Sequence, residues 1–225
     1  MMNVGETATG ESVLDVSASG IRAPLHREPG VGGPPDLSVL DEGFLAYRYG
    51  SERGEEGDLA PGTWLVVDST GAHRANVVVR GEDPHDRGRS YTITDLSGQV
   101  LVALRRARFG YDISLFDWAG GELGRYSASA GGGIRFVTPA GPAGAPTRAT
   151  GSGTPVRDAD GKAVARVYGH SPSRPLGTLG TWPSIDPDWA WYLVDKVPRL
   201  GDPLRSFVLG LPCVAHWQLG EAATP

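Results

Sequence analysis

Tyr91–Leu104 reads YTITDLSGQVLVAL: an alternating β-prone stretch runs into Asp95-x-x-Gly98 and out into a second apolar stretch. A short hairpin loop often uses a type I turn closed by a residue at positive φ, which glycine occupies without steric cost, while an aspartate at its start accepts hydrogen bonds from the turn's own amides. The same arrangement recurs at Asp68 to Gly71, Asp117 to Gly120 and Asp158 to Gly161. Four such turns predict a protein built mainly of antiparallel hairpins.

Strand reading extends outward from these turns. TWLVV and HRANVVVR flank the first turn within Thr63 to Arg80, and Thr154 to Tyr168 forms the last hairpin. In the third hairpin Tyr111, Ile113 and Leu115 share a face opposite Asp112 and Ser114, and the return strand carries Leu123 and Arg125. Phe44 to Tyr49, Ile134 to Phe136 and the aromatic run WAWYLV at Trp189 to Val194 read as further strands. Pro139 to Gly153, made of Gly, Pro and Ala with little else, reads as a loop.

The period changes only at the carboxyl end. Asp202 and Pro203 mark a helix start, as N-cap and first helical residue, ahead of Leu204 to Leu219. Phe207, Val208, Leu209, Leu211, Val214, Ala215 and Trp217 cannot share one stripe, so this helix must be surrounded. Pro212 is expected to kink it or end its first half.

Composition agrees with the hairpins. The 225 residues include 33 Gly and 18 Pro at 40% hydrophobic content, which suits one all-β domain of many short strands. Residues 1–42 are rich in Gly, Pro, Ser and Glu without a hydrophobic period and read as a disordered leader, leaving a domain over 43–221 and a short tail at 222–225. A formal net charge of −5 gives no global attraction to nucleic acid, so any anionic partner must be met by a local basic patch. Cys213 is the sole cysteine, which excludes an intrachain disulfide framework and points to a reducing compartment. The first residues lack the basic start and apolar core of a secretory signal, and Phe207 to Leu219 is too short to span a bilayer. The expectation is a cytoplasmic protein, at most peripheral at a membrane, with no cofactor.

YTITDLSGQVLVAL, YDISLFDWAGGELG and TPVRDADGKAVARV, followed by one hydrophobic terminal helix, resemble the units of the tubby-like superfamily, and more narrowly its LURP-one-related and phospholipid scramblase-like branch. The resemblance covers Phe44 to Leu219. It implies a closed antiparallel barrel of about twelve strands threaded by the C-terminal helix, which removes exposed sheet edges and houses an all-round apolar helix. It also implies a non-catalytic protein that binds an anionic phospholipid head group or a membrane surface, or that acts as an adaptor for another protein. Scrambling itself is not implied, because the chain has no cysteine-rich palmitoylation run.

Arginine supplies the candidate site. Arg106 and Arg108, with Arg105, lie at the end of a strand, Arg125 and Arg135 lie in strands nearby in sequence, and guanidinium groups grip phosphate oxygens through paired donors. Alternation sends Arg106 and Arg108 one way and Arg105 the other. The plainer alternative is a set of solvated strand ends.

Other motifs weaken on inspection. RDADGK lacks the spacing of a calcium loop or a P-loop and is explained by its turn. Gly169-His170-Ser171-Pro172-Ser173 begins like a nucleophile elbow, yet its last position is Ser and no strand-to-helix context follows; a serine hydrolase using Ser171 is the second alternative. His26, His73, His85, His170 and His216 show no metal-ligand spacing; His216 and Cys213 are expected in the core. Trp64, Trp189 and Trp191 are expected to pack inside, whereas Trp118 and Trp182, in turns, are candidates for exposed contact.

Overall fold

The computed structural model describes residues 35–51, 63–80, 90–106, 112–128, 133–147, 153–170 and 189–222. Twelve strands follow one another in this region. They are β1 (Phe44–Ser51), β2 (Thr63–Asp68), β3 (His73–Arg80), β4 (Ser90–Asp95), β5 (Val100–Arg106) and β6 (Ile113–Asp117). The series continues with β7 (Glu122–Ala128), β8 (Ile134–Thr138), β9 (Gly141–Pro146), β10 (Thr154–Asp158), β11 (Ala163–His170) and β12 (Trp189–Lys196). Each pairs antiparallel with its sequence neighbours, and β1 pairs with β12 to close the barrel. The helix α1 (Leu204–Ala222) follows.

The four Asp-x-x-Gly turns share one construction. In the second, Gly98 N–H donates to Asp95 O at 3.1 Å, Asp95 N–H to Gln99 O at 2.9 Å, and Asp95 Oδ1 accepts from the Ser97 and Gln99 amides. The glycines sit at φ between 80° and 84°. Each turn has a register shift beside it in its hairpin, at Val66/Val67, Ile93/Thr94, Leu115/Phe116 and Val156/Arg157. An extra residue at that point sharpens the local twist, which helps a sheet to curl shut.

Strand alternation then decides what lies inside. Trp64, Val66, Ala75, Val77, Tyr91 and Ile93 are buried toward the axis, and the same face continues through Leu104, Leu115, Tyr126 and Phe136 to Tyr192 and Val194. On β7 the core residue is Tyr126; Leu123 is half-buried and Arg125 exposed. The helix fills the middle: Ser206 to Val214 are buried without interruption, as is Trp217. Over two turns of helix face every direction, so burial of the whole run requires walls on all sides.

Two local expectations for the chain ahead of the helix give way. The loop expected over Pro139 to Gly153 contains β9, paired with Phe136 to Thr138 on one side and Val156 to Asp158 on the other. Ladder closure there rests on backbone hydrogen bonds and on small residues, not on apolar periodicity: a Cβ at Gly144 would lie 2.4 Å from Arg157 O. Packed chain also starts before Gly43, contrary to a leader ending at residue 42. A 3-10 helix (Leu37–Asp41), capped by Asp36, buries Val39 and Leu40 against the end of the barrel, and Glu42 pairs with Arg74 at 2.6 Å. Residues 1–34 lie outside the described residues.

At the helix start, α1 begins one residue after Pro203, so that proline precedes the first helical residue. Asp202 accepts from Ser206 Oγ at 2.8 Å and from the Arg205 guanidinium, which also reaches Asp41 at 2.7 Å. Burial pushes the Asp202 carboxyl up, but these hydrogen bonds outweigh it and leave the group below the ordinary value. Pro212 does not end the helix, which continues to Ala222.

Candidate functional site

The up-and-down order gives the barrel two unlike ends. The short turns after β2, β4, β6, β8 and β10, the 3-10 helix and the start of α1 gather at one end. Connections between β1 and β2, β3 and β4, β5 and β6, β7 and β8, β9 and β10, and β11 and β12 all leave from the other. That second end is floored by aromatic rings around the last described turn of α1. His216 stands edge-on to Trp64 and Tyr49, with ring centroids 4.9 and 5.1 Å away, and Tyr91 packs on Trp217 at 5.2 Å.

The arginines divide between inside and outside. Pairing places Arg105 opposite Ser114 and Ser114 opposite Arg125, a row across β5, β6 and β7 on the outer surface. Arg135 stands opposite Ser127 on the same surface, one strand farther. Arg106 pairs instead with Ile113, which in turn pairs with the buried Tyr126, so its side chain belongs to the inner face. Its guanidinium lies 5.9 Å from the Trp217 ring centroid. The expected cluster of Arg106 with Arg125 and Arg135 is therefore split by alternation, and Arg105 takes the place of Arg106. Arg108 lies outside the described residues.

Local partners moderate the wall's charge. Arg125 Nε is 3.5 Å from Asp112 Oδ2, with Arg125 more than half exposed, and Arg105 lies over the Phe116 ring at 5.4 Å. Strand spacing of about 4.8 Å puts Arg105 and Arg125 roughly 10 Å apart at the backbone, and a diagonal neighbour such as Arg135 lies about 7–8 Å from Arg125. Exposed ion pairs of this kind are worth at most about 1 kcal/mol, so Arg125 can exchange Asp112 for a phosphate at small cost.

The remaining candidates fall mostly into structural roles. Asp158 accepts from the Asp160 and Lys162 amides, as the turn requires. Cys213 is fully buried, which pushes its thiol up and away from nucleophilic use. Trp64 and Trp191 are buried, and Trp118 is 40% exposed. Ser171, Trp182 and the Trp189 side chain lie outside the described residues. Among the described residues no group of three or more His, Cys, Asp or Glu side chains is arranged to hold a metal ion, and no helix is long and apolar enough to cross a membrane.

Sequence reasoning missed two features. Arg105 was legible as the alternate to Arg106, but only pairing with β6 shows which of the two faces outward. Lys196 was not singled out: it is 4% exposed at the short-turn end, and its Nζ finds no hydrogen-bond partner among the described residues.

No family model and no curated protein matches the chain. Among solved structures the chain is similar to the X-ray structure of a protein from Arabidopsis thaliana, at 12% identity and a TM-score of 0.46, over 80% of this chain and 93% of that one.

Proposed function

We propose that this chain is a non-catalytic binding barrel of the tubby-like superfamily, LURP-one-related and scramblase-like branch, which takes an anionic phospholipid head group on the outer wall of β5 to β8. The observation that supports the reading is the placement of Arg105, Arg125 and Arg135 on one outer surface. Three guanidinium groups strung along roughly 15 Å of wall, neighbours about 10 Å or less apart at the backbone, match a head group that carries more than one phosphate, since each can donate two parallel hydrogen bonds. Because the helix fills the barrel axis, the binding surface is assigned to the outside of the wall and not to an interior cavity. Attachment of this kind is peripheral and salt-sensitive.

Flotation of the full chain with phosphatidylcholine vesicles, with and without a phosphoinositide, tests it. The double variant Arg125→Glu with Arg135→Glu is expected to lower phosphoinositide-dependent flotation at least tenfold. Unchanged flotation of the variant overturns the wall as the site, whereas a wild type that floats with neither vesicle favours a protein interaction module without lipid affinity.

A further inference from the structure

The large apolar side chains exposed among the described residues are Leu37, Leu96, Trp118 and Val197, and all four lie at the short-turn end. Three of them are neighbours. Leu96 tips the β4–β5 turn and Trp118 the β6–β7 turn; because β5 pairs with β6, the two tips project side by side, about 10 Å apart at two strand spacings. Leu37 joins them, since Asp36 N–H donates to Asp95 Oδ2 at 3.0 Å and seats the 3-10 helix on the β4–β5 turn.

The turns do not require these residues. The same second position of the other two Asp-x-x-Gly turns holds Ser69 and Ala159, and a type I turn accepts most residues there. Leu96 is 59% exposed and Trp118 40%, so neither supports the core. The adjacent carboxylates do not lead the tips either: Asp95 accepts from the Ser97 and Gln99 amides, and Asp117 from the Ala119 and Gly121 amides, turning each acid back into its own loop.

We infer that Leu96 and Trp118, flanked by Leu37, form a wedge that enters the interfacial layer of a lipid bilayer. This extends the wall reading above to the turn end, yet it rests on the tips and not on the arginines. The extent of the patch selects lipid over protein. Three partly exposed side chains offer on the order of 300 Å², given 150–250 Å² for a whole aromatic, whereas a stable protein interface takes about 800 Å² from each partner. Two projecting tips suit insertion between head groups, and an indole ring prefers that depth because one edge is apolar and the other donates a hydrogen bond. Trp118 follows Phe116 and Asp117 at the end of β6, the middle of the arginine wall, so a tilted barrel presents tip and wall to one surface.

Brominated phosphatidylcholine quenches indoles that reach the acyl boundary, and the full chain on such vesicles is the test. Wild type is expected to show quenching that Trp118→Phe removes while flotation persists; Leu96→Ser with Trp118→Ser is expected to reduce flotation on plain phosphatidylcholine at least tenfold, at unchanged circular dichroism. Arg125→Glu with Arg135→Glu is expected to abolish only the preference for phosphoinositide and to leave the quenching of vesicle-bound protein, which separates failure of the wall from failure of the wedge. Quenching that survives Trp118→Phe, no association with any vesicle, or a wild-type dimer that the tip variants convert to monomer overturns the inference.

Discussion

Tyr47 on β1 and Tyr126 on β7 stand six strands apart in a ring of twelve, on opposite walls, and both donate their hydroxyls to main-chain carbonyls of α1, Leu209 O at 3.1 Å and Phe207 O at 2.6 Å. The carbonyl between those two belongs to Val208, whose helical donor four residues on would be Pro212, which has no N–H. The tyrosines thus brace the helix from both sides at the place where its own ladder loses a bond. Burial holds both phenols well above their ordinary pKa, so they remain donors.

Tyr126→Phe and Tyr47→Phe are each expected to cost about 1–2 kcal/mol, the worth of a buried hydrogen bond. Because both hydroxyls brace the same stretch of α1, on carbonyls two residues apart, the double variant is expected to depart from additivity by about 0.5 kcal/mol or more. Urea unfolding of the four proteins checks both statements.

Gly210 makes the Tyr126 contact possible: a Cβ there would fall 2.3 Å from the Tyr126 hydroxyl oxygen. Gly210→Ala normally favours a helix by about 1 kcal/mol, but overpacking of about 1–3 kcal/mol is expected to reverse the sign here. In the Tyr126→Phe background the clashing oxygen is gone, and the penalty should shrink or vanish. Equal cost in both backgrounds would refute this packing.

Burial holds the Lys196 amine below its ordinary value of 10.5, with Asp41 pulling the other way. The folded protein therefore binds fewer protons than the unfolded chain between the folded pKa and 10.5, and stability rises with pH across that window. Below the folded pKa the penalty is present in full. Lys196→Met is expected to raise stability by about 1–3 kcal/mol at neutral pH, with the gain fading toward pH 10. Melting temperatures at pH 7 and pH 10 decide it.

Asp95 behaves oppositely. Burial pushes its carboxyl up, but the Ser97, Gln99 and Asp36 hydrogen bonds hold it below 3.8, so its contribution is present above that pH and is lost as the pH falls through the lower folded value. Asp95→Asn is expected to cost about 1–2 kcal/mol at pH 7 and progressively less in acid. A constant difference from pH 7 down to pH 2 would count against the assignment.

Arg106 offers a control for the outer wall. Its side chain lies against Trp217 on the inner face, so Arg106→Ala is expected to leave phosphoinositide flotation unchanged and to lower stability by about 0.5–1 kcal/mol through the lost cation–π contact. A drop in flotation equal to that of the Arg125 and Arg135 variants would return Arg106 to the site.

Much of the scaffold was readable in advance because it rests on local rules. Asp68, Asp95, Asp117 and Asp158 with their glycines determine turns within a few residues, and the apolar residues on every side of Phe207 to Trp217 demand enclosure wherever the walls come from. β9 was not readable, since Gly141 to Pro146 pairs through main-chain groups that every sequence possesses. Val39 and Leu40 were likewise hidden in a Gly- and Pro-rich stretch, as a short 3-10 helix carries too few residues to show a period.

The amino-acid order alone therefore determined hairpins, their turns and a helix that must be swallowed, since each depends on contacts between near neighbours in the chain. Tertiary structure alone decided that Arg105 and not Arg106 shares the outer face with Arg125, that two apolar turn tips adjoin, and that Tyr47 and Tyr126 meet the same helix. Those relationships depend on which strands pair and in which register, and a slip of a single residue in pairing exchanges the two faces of a strand.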